Sequence, residues 1–298
     1  MIIYSKDYRF QFEGHVFPAV KYRDIYQMLT RRFHYQPEEF KEPEIASDED
    51  LLLVHTPEYL QKLKTNSLSG EEVARLEIPA SPEILKVFRL MAGGTVLAAE
   101  EALKEQVGIH IGGGFHHSFP DHGEGFCMLN DVAVAVRKLQ QEKKIKKALL
   151  VDLDVHQGNG NAFVFRQDPD VYTFSIHEEE NYPFLKPPGS LDVGLASGTG
   201  NDTYLAALDS SLLGIKKEFK PDIVFYVAGA DPFEGDQLGR LKLSLAGMKR
   251  RDERVRNFVK DELKVPVVVT LAGGYAYDVQ QTVQLHVNTI MTFTREWK

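Results

Sequence analysis

The sequence predicts an α/β fold in which a mainly parallel sheet is covered by helices on both faces. After about residue 80, short apolar segments alternate with longer amphipathic segments. This alternation is typical of parallel strands joined by crossover helices. Several apolar segments also end in glycine-rich turns that carry polar side chains, and sites in such sheets form beyond the carboxyl ends of the strands.

The predicted elements follow one another without a long linker, a repeat or a low-complexity stretch, so we expect one domain over residues 1–298. Residues 1–5 are expected to form a short strand, and the acidic residues 36–50 a surface loop. The apolar strands are predicted at residues 107–111, 148–153, 171–176, 223–227 and 265–271. The amphipathic helices are predicted at residues 82–104, 131–141, 202–219, 245–263 and 277–295.

Composition narrows the class of protein. The net charge of −8 argues against a nucleic acid bound through its phosphates and mildly favours cationic substrates. The single cysteine, Cys127, excludes an intrachain disulfide and fits a reducing cytoplasm. No apolar run approaches the roughly 20 residues that span a bilayer. We therefore expect a cytoplasmic protein with no direct nucleic-acid or membrane partner.

The stretch L-L-V-D-L-D-V-H, residues 149–156, carries the strongest chemical signal. Asp152, Asp154 and His156 are spaced by two residues, so on one strand their side chains would point the same way. Two carboxylates and an imidazole placed together are costly unless a cation lies between them. The pattern therefore predicts a divalent metal at a strand end.

An open catalytic metal site needs three protein ligands. Asp154 and His156 supply two, and Asp231, after the strand at 223–227, is the natural third. One imidazole with two carboxylates favours zinc, with ferrous iron possible. Asp152 is then free to hydrogen-bond a histidine or to help bind a second cation.

Two further strand ends carry candidate catalytic groups. His116 and His117 follow G-G-G-F, and one of them could take a proton from water while the other positions substrate or tunes its neighbour. Tyr275 follows A-G-G and could donate its hydroxyl to a developing oxyanion. The alternatives are a surface histidine pair and a core or rim aromatic.

Two loops are candidates for the walls of a pocket. Residues 178–189 follow a strand end, so Tyr182 and Phe184 are candidate wall residues, although an ordinary proline-rich surface loop is as good an interpretation. Glu124 could meet a cationic substrate at the rim, but a solvated loop residue is the favoured interpretation.

Five motifs together resemble the zinc-dependent histone deacetylase superfamily, which also includes bacterial acetylpolyamine amidohydrolases. They are G-G-G-F-H-H-S at 112–118, G-F-C-M-L-N-D at 125–131, V-D-L-D-V-H-Q-G-N-G at 151–160, G-A-D-P-F-E-G-D at 229–236 and L-A-G-G-Y at 271–275. The H-Q-G-N-G ending and residues 231–239 most resemble the class IV branch.

The resemblance implies an arginase/deacetylase-like three-layer α/β/α fold and a set of catalytic roles. Asp154, His156 and Asp231 would bind zinc. The catalytic groups would be His117 as main general base and acid, His116 as its electrostatic partner hydrogen-bonded to Asp152, and Tyr275 as oxyanion donor.

The resemblance also implies a substrate channel and a second cation. Phe126, with Gly125 beside it, would form one channel wall around an acyl-lysine stem. A structural potassium ion would be held by Asp152 and by carbonyls around Asp154, His156, Ser175 and Ile176.

Asn159 departs from many class I relatives, which carry Asp at this position. Because an amide lacks the full charge of a carboxylate, we expect the imidazole that it contacts to be less stabilised as imidazolium. His117 would then be easier to keep neutral and ready to act as a base.

These features predict a zinc-dependent amidohydrolase that removes acetyl or longer acyl groups from lysine side chains of proteins or peptides. The first alternative is a deacetylase of small acylated amines such as polyamines. The second is a catalytically silent binding module of the same fold. That alternative predicts the loss of a metal ligand, a histidine or the tyrosine, and all of these are present.

Overall fold

The computed structural model describes residues 1–10, 12 and 14–297, and it contains an eight-stranded sheet. Every strand pair in the sheet is parallel, and the strand order is β2-β1-β3-β8-β7-β4-β5-β6. The strands are β1 (Ile2–Ile3), β2 (Phe40–Lys41), β3 (Val107–His110), β4 (Ala148–Asp152), β5 (Val171–Glu178), β6 (Leu191–Leu195), β7 (Ile223–Val227) and β8 (Val267–Thr270). The predicted α/β class with a parallel sheet is confirmed.

Helices connect the strands and cover the sheet. In the described part of the chain they are α1 (Val20–Arg32), α2 (Asp48–Leu51), α3 (Pro57–Lys64), α4 (Gly70–Leu76), α5 (Pro82–Glu105), α6 (Asp131–Gln141), α7 (Asn159–Phe165), α8 (Asn201–Glu218), α9 (Leu245–Asn257) and α10 (Val279–Thr294). Helix α9 continues into a π-helical turn, Phe258–Leu263. No helix among these is long and apolar enough to cross a membrane.

Local sequence explains where the predicted helices begin. Ser81, Asn130 and Ser244 each accept a hydrogen bond from a backbone N–H in the first turn of α5, α6 and α9 respectively. Such side chains satisfy amide groups that have no partner inside the helix. The central strands β3, β4, β7 and β8 are buried along their whole length, as their continuous apolar runs predict.

The structure corrects two of the predictions for the elements. Residues 36–50 are not simply a surface loop, because they contain a 3₁₀ turn at Pro37–Glu39, strand β2 and the start of α2. Strand β6 was not predicted because it lies at the sheet edge, where its residues alternate between partly exposed and exposed as far as Leu195. Such a strand has no continuous apolar run.

The register of the four central strands places the site. His110, Thr270, Val227 and Asp152, on β3, β8, β7 and β4, stand opposite one another across the sheet. All four strands therefore stop at the same level, and the loops that follow them leave from one edge. The sequence motifs after these strands are brought together for this reason.

Candidate active site

The loop after β4 is shaped by its own carboxylates. The strand ends at Asp152, so the prediction that Asp154 and His156 project from one side of a strand is wrong. Instead, Asp152 Oδ1 accepts a hydrogen bond from the Asp154 amide at 3.2 Å, and Asp154 Oδ1 accepts one from the His156 amide at 3.0 Å. Each side chain thus fixes the backbone two residues further on, which is the behaviour of aspartate in turns.

Asp154, His156 and Asp231 converge into one buried cluster. Their ligand atoms all lie within 4.8 Å of one another. His156 Nδ1 lies 3.1 Å from Asp154 Oδ1 and 3.6 Å from Asp231 Oδ2. Asp231 Oδ1 accepts the Val155 amide at 2.9 Å, whereas its Oδ2 has no hydrogen-bond partner among the described residues. A buried carboxylate oxygen without a donor is costly, so this donor set fits a divalent cation.

The electrostatics of these three side chains also favour a bound cation. Burial alone would lower the pKa of His156, but Asp154 and Asp231 raise it to about 10. Burial, followed by repulsion from Asp154, raises the pKa of Asp231 to about 7. The carboxylates therefore attract positive charge strongly, and a metal ion bound to them would satisfy this demand.

Gly273 lets the β8 loop reach this cluster. Its amide donates to Asp154 Oδ2 at 3.0 Å. A Cβ at this position would lie 2.1 Å from Asp231 Oδ2 and 2.6 Å from Asp154 Oδ2. Because real side chains do not approach so closely, only glycine fits between the two carboxylates.

His116 and His117 have their ring centroids 4.1 Å apart but occupy different electrostatic environments. His116 Nδ1 lies 2.7 Å from Asp152 Oδ2. Burial opposes the charged form of His116, but Asp152 and Asp154 outweigh it and raise its pKa to about 9. Burial, assisted by His116 and His156, holds the pKa of His117 well below its usual value.

His117 is therefore the neutral member of the pair, and it forms part of the cavity wall. Its Nδ1 lies 2.6 Å from Asn159 Oδ1. A neutral imidazole at the cavity can accept a proton, whereas the charged His116 can stabilise negative charge nearby.

The turn that carries both histidines is held by a residue that the sequence did not single out. Buried Asp131 accepts hydrogen bonds from the Gly114 amide at 2.9 Å and from the Phe115 amide at 2.7 Å. The position of Asp131 in the motif at 125–131 was the available signal, because a buried carboxylate at a helix start needs partners.

Tyr275 lines the cavity on the side of the β8 loop. Its amide donates to Asp236 Oδ2 at 2.6 Å, so Asp236 fixes the backbone from which the phenol projects. Burial raises the pKa of the phenol well above 10, and nearby Asp231 and Asp154 raise it further. The hydroxyl therefore keeps its proton and can donate it in a hydrogen bond.

The cavity has a volume of about 190 Å³, and Asp154 and His156 of the candidate metal site are among the residues that line it. Phe126, Gly125 and Tyr182 all line it. The ring of Tyr182 stands edge-on to His117, with centroids 5.0 Å apart. Phe184 does not line the cavity, and 97% of it is exposed to solvent, so its prediction as a wall residue is wrong.

Three of the residues suggested for a potassium ion lie on neighbouring strands, whereas Asp154 and His156 lie in the loop after β4. Asp152 of β4 stands opposite Ser175 of β5, and Ile176 follows on β5. Ser175 Oγ lies 3.0 Å from His177 Nδ1, so this hydroxyl already has a partner.

Two buried basic side chains, Lys21 and Arg251, contact the backbone around the site, and no feature of the sequence predicts their burial. Lys21 on α1 donates to the Ala272 carbonyl at 2.7 Å, and burial lowers its pKa to about 8. Arg251 on α9 donates to the carbonyls of Gly229 at 2.7 Å and Leu153 at 3.2 Å. Sequence reasoning missed both because a lysine or arginine on an amphipathic helix ordinarily lies at the surface.

Comparison with known proteins agrees with this geometry. The family model for the histone deacetylase domain matches residues 15–290. The chain belongs to the histone deacetylase family. It is 36% identical to histone deacetylase 2 of Arabidopsis thaliana over 287 residues, which cover 92% of this chain and 74% of the relative. It is 38% identical to an uncharacterized protein of Picosynechococcus over 286 residues, which cover 96% of this chain and 95% of that protein.

A solved structure supports the same assignment of the fold. The HDAC homolog from Aquifex aeolicus superposes with a TM-score of 0.84 at 25% identity, covering 99% of this chain and 83% of that chain. Membership of the histone deacetylase family confirms the arginase/deacetylase-like fold and makes the chain a hydrolase of the deacetylase class. The resemblance to the class IV branch stays a prediction.

Proposed function

We propose that this histone deacetylase family member is a zinc-dependent enzyme that removes acyl groups from lysine side chains. One observation carries the proposal: a single cavity is lined by Phe126 and Tyr182 and also by His117, Tyr275 and two of the candidate metal ligands, Asp154 and His156. Its volume of about 190 Å³ is below the roughly 300 Å³ at which pockets for drug-sized ligands begin. A linear alkyl stem fits such a space better than a bulky ligand does.

Zinc would be held by Asp154, His156 and Asp231, which offer one imidazole and two carboxylates, and Asp154 and His156 border the cavity. When bound, zinc supplies Lewis-acid polarisation of the scissile carbonyl and makes water a stronger acid. Ferrous iron is the alternative that this donor set admits. Zinc dependence is typical of the family, which favours zinc.

His117 is proposed to accept the proton as water adds to the amide carbonyl. It is neutral and belongs to the cavity wall, whereas His116 is held in its charged form by Asp152. His116 would offset negative charge as it develops. Tyr275 would donate its hydroxyl to the oxyanion, since its raised pKa keeps the phenol protonated.

Departure of the amine requires a proton, because an amine anion is a poor leaving group. His117, protonated in the first step, is proposed to return its proton to the lysine nitrogen. The products are then a carboxylate and a free lysine side chain. The 5.0 Å contact between Tyr182 and His117 supports the role of His117, since a stem lying along Tyr182 would bring its amide to His117.

Small acylated amines are the second candidate substrates, because Glu77 also lines the cavity. Burial and the nearby Glu124 raise the pKa of Glu77, so this carboxylate would gain from a cationic partner. A protonated amine further along an acetylated polyamine would provide one. If small acylated amines are the substrates, Glu77→Gln should raise KM for acetylated polyamines and leave KM for a neutral acetyl-lysine peptide unchanged.

The deciding experiment compares substrates on the zinc-loaded protein. An acetyl-lysine peptide, a longer acyl-lysine peptide and an acetylated polyamine would be assayed side by side for amine release. We expect the highest kcat/KM with an acyl-lysine peptide. Binding of one equivalent of zinc without hydrolysis of any of the three would contradict the proposed function.

A structural potassium ion near Asp152, Ser175 and Ile176 is a further part of the proposal. The support is the pairing of β4 with β5, which brings Asp152 and Ser175 side by side. Thermal stability measured in potassium and in tetramethylammonium chloride tests it, and equal melting temperatures would count against the ion.

A further inference from the structure

Glu124 lies at the outer end of a hydrogen-bond chain that leads to His117. His117 Nδ1 lies 2.6 Å from Asn159 Oδ1, and Asn159 Nδ2 donates to Glu124 Oε1 at 2.8 Å. The same Glu124 oxygen accepts the Tyr182 hydroxyl at 2.8 Å. Glu124 is therefore not the solvated loop residue that the sequence favoured. Its Oε1 is directed toward the site, whereas its Oε2 lies 3.5 Å from His122 Nε2.

An asparagine side chain can present either its oxygen or its nitrogen to a histidine, and the two choices have opposite consequences. If the oxygen faces Nδ1, the ring must carry its proton on Nδ1, and Nε2 keeps a free lone pair. If the nitrogen faces Nδ1, the proton moves to Nε2. Only the first arrangement leaves His117 a free ring nitrogen, on the side away from Asn159, with which to accept a proton.

Glu124 removes this ambiguity. An ionised carboxylate only accepts hydrogen bonds, so the group of Asn159 that faces it has to be the NH₂. Hydrogen bonds from His122, Tyr182 and Asn159 outweigh the effect of burial and keep the pKa of Glu124 below its usual value. The carboxylate is thus ionised at neutral pH, and the oxygen of Asn159 is left for His117.

We propose that Glu124 is a positioning residue that fixes the amide orientation of Asn159 and, through it, the Nδ1-protonated tautomer of His117. The importance of this tautomer for catalysis rests on the proposed function, in which His117 is the base. A carboxylate at position 159 would hold the same tautomer without help, because it cannot flip. Asn159 therefore needs Glu124, whereas an aspartate would not.

The same carboxylate has a second effect that can be separated from the first. Its bond to Tyr182 anchors the ring that forms the cavity wall beside His117. Loss of Glu124 should therefore lower kcat through His117 and raise KM through Tyr182. A variant that restores the contact with His117 but not the bond to Tyr182 should restore only kcat.

The test is the tautomer of His117, read from long-range ¹H–¹⁵N correlations of ¹⁵N-histidine-labelled protein, before and after loading with one equivalent of zinc. The His117 signal is assigned by its loss in His117→Asn. Wild-type protein should show the proton on Nδ1. A proton on Nε2 in the wild type would overturn the proposal without any further variant.

Glu124→Met fills a similar volume with only a weak thioether acceptor in place of the carboxylate, and it should give a mixture of both tautomers. In Glu124→Met/Asn159→Asp the pure Nδ1 form should return, at a pH at which His117 is neutral. The exposed Glu58 provides the matched control, since Glu58→Met should leave the tautomer unchanged. An unmixed Nδ1 tautomer in Glu124→Met, or a double variant that stays mixed, would overturn the proposal.

Kinetics provide the second readout. Glu124→Met should lower kcat at least about tenfold, part of the 10²- to 10⁴-fold that a general base contributes. At a pH at which His117 is neutral beside the introduced carboxylate, the double variant should recover kcat but not KM, because Tyr182 remains unanchored. If the wild type hydrolyses no acylated substrate while the NMR pattern holds, the proposed function fails and the role of Glu124 stands.

Discussion

Arg251 offers the sharpest test of how the fold supports the site. It is fully buried, and its guanidinium bonds to the carbonyls of Gly229 and Leu153, which precede Asp231 and Asp154 by two residues and by one. The Nε and Nη2 groups both donate to Asp252 Oδ1, at 3.0 and 2.8 Å. One side chain thus joins the two loops that carry the candidate metal ligands Asp154 and Asp231.

Replacing Arg251 by Met should destabilise the protein strongly. Among the described residues, the substitution leaves the buried carboxylate of Asp252 only the Tyr226 and Thr289 hydroxyls as donors, at 2.6 and 2.5 Å. Removing one partner of a buried ion pair costs about 3–5 kcal/mol. Much of that cost is the uncompensated charge, so Arg251→Met/Asp252→Asn should be about 1–2 kcal/mol more stable than Arg251→Met alone.

The free energy of unfolding from urea titrations measures both effects, with the m-value checked for constancy. Arg254 on the same helix is the matched control, because it pairs with the exposed Asp209 at 2.7 Å. Surface pairs of this kind contribute at most about 1 kcal/mol, so Arg254→Met should change little. A double variant less stable than Arg251→Met, or equal costs at positions 251 and 254, would refute the reasoning.

Three other predictions follow from the site and the core. Tyr275→Phe should lower kcat about 10²-fold or more in a steady-state assay, since one oxyanion donor is lost, and near-normal turnover would remove Tyr275 from the mechanism. Asp231→Asn should abolish the stabilisation by zinc, about 3 kcal/mol for wild type at 100-fold excess over Kd, in thermal unfolding with and without metal. Asp202→Asn, the same change at an exposed site, should retain it. Burial lowers the pKa of His55 from 6.5 to about 4, so its protonation favours unfolding. The contribution of neutral His55 to the free energy of unfolding should therefore be complete above about pH 6.5. It should fall by about 3 kcal/mol as the pH drops toward 4. In His55→Gln this part of the pH dependence should disappear, and urea titrations with an unchanged slope against pH would contradict the assignment.

The sequence determined the fold class and the composition of the site through local chemistry. Buried parallel strands need continuous apolar runs, and polar groups directly after such runs have to meet at one edge of the sheet. Asp154, His156 and Asp231 could be grouped on this basis because their side-chain types and their positions after strands carry the information. Helix boundaries were also predictable, since caps such as Ser81 and Asn130 act within three residues.

Only the tertiary structure decided which groups touch. The sequence places His116 and His117 side by side, but their surroundings come from distant segments. Asp152, on strand β4, raises the pKa of His116, whereas burial and the neighbouring His116 and His156 lower the pKa of His117. Exposure of Phe184 and burial of Arg251 depend likewise on how distant segments pack. A lysine, an arginine or a glutamate has the same letter at the surface and in the interior, and the difference lies in partners that the chain brings from far away. For Glu124 those partners are Asn159 and Tyr182, which turn a loop residue into part of the site.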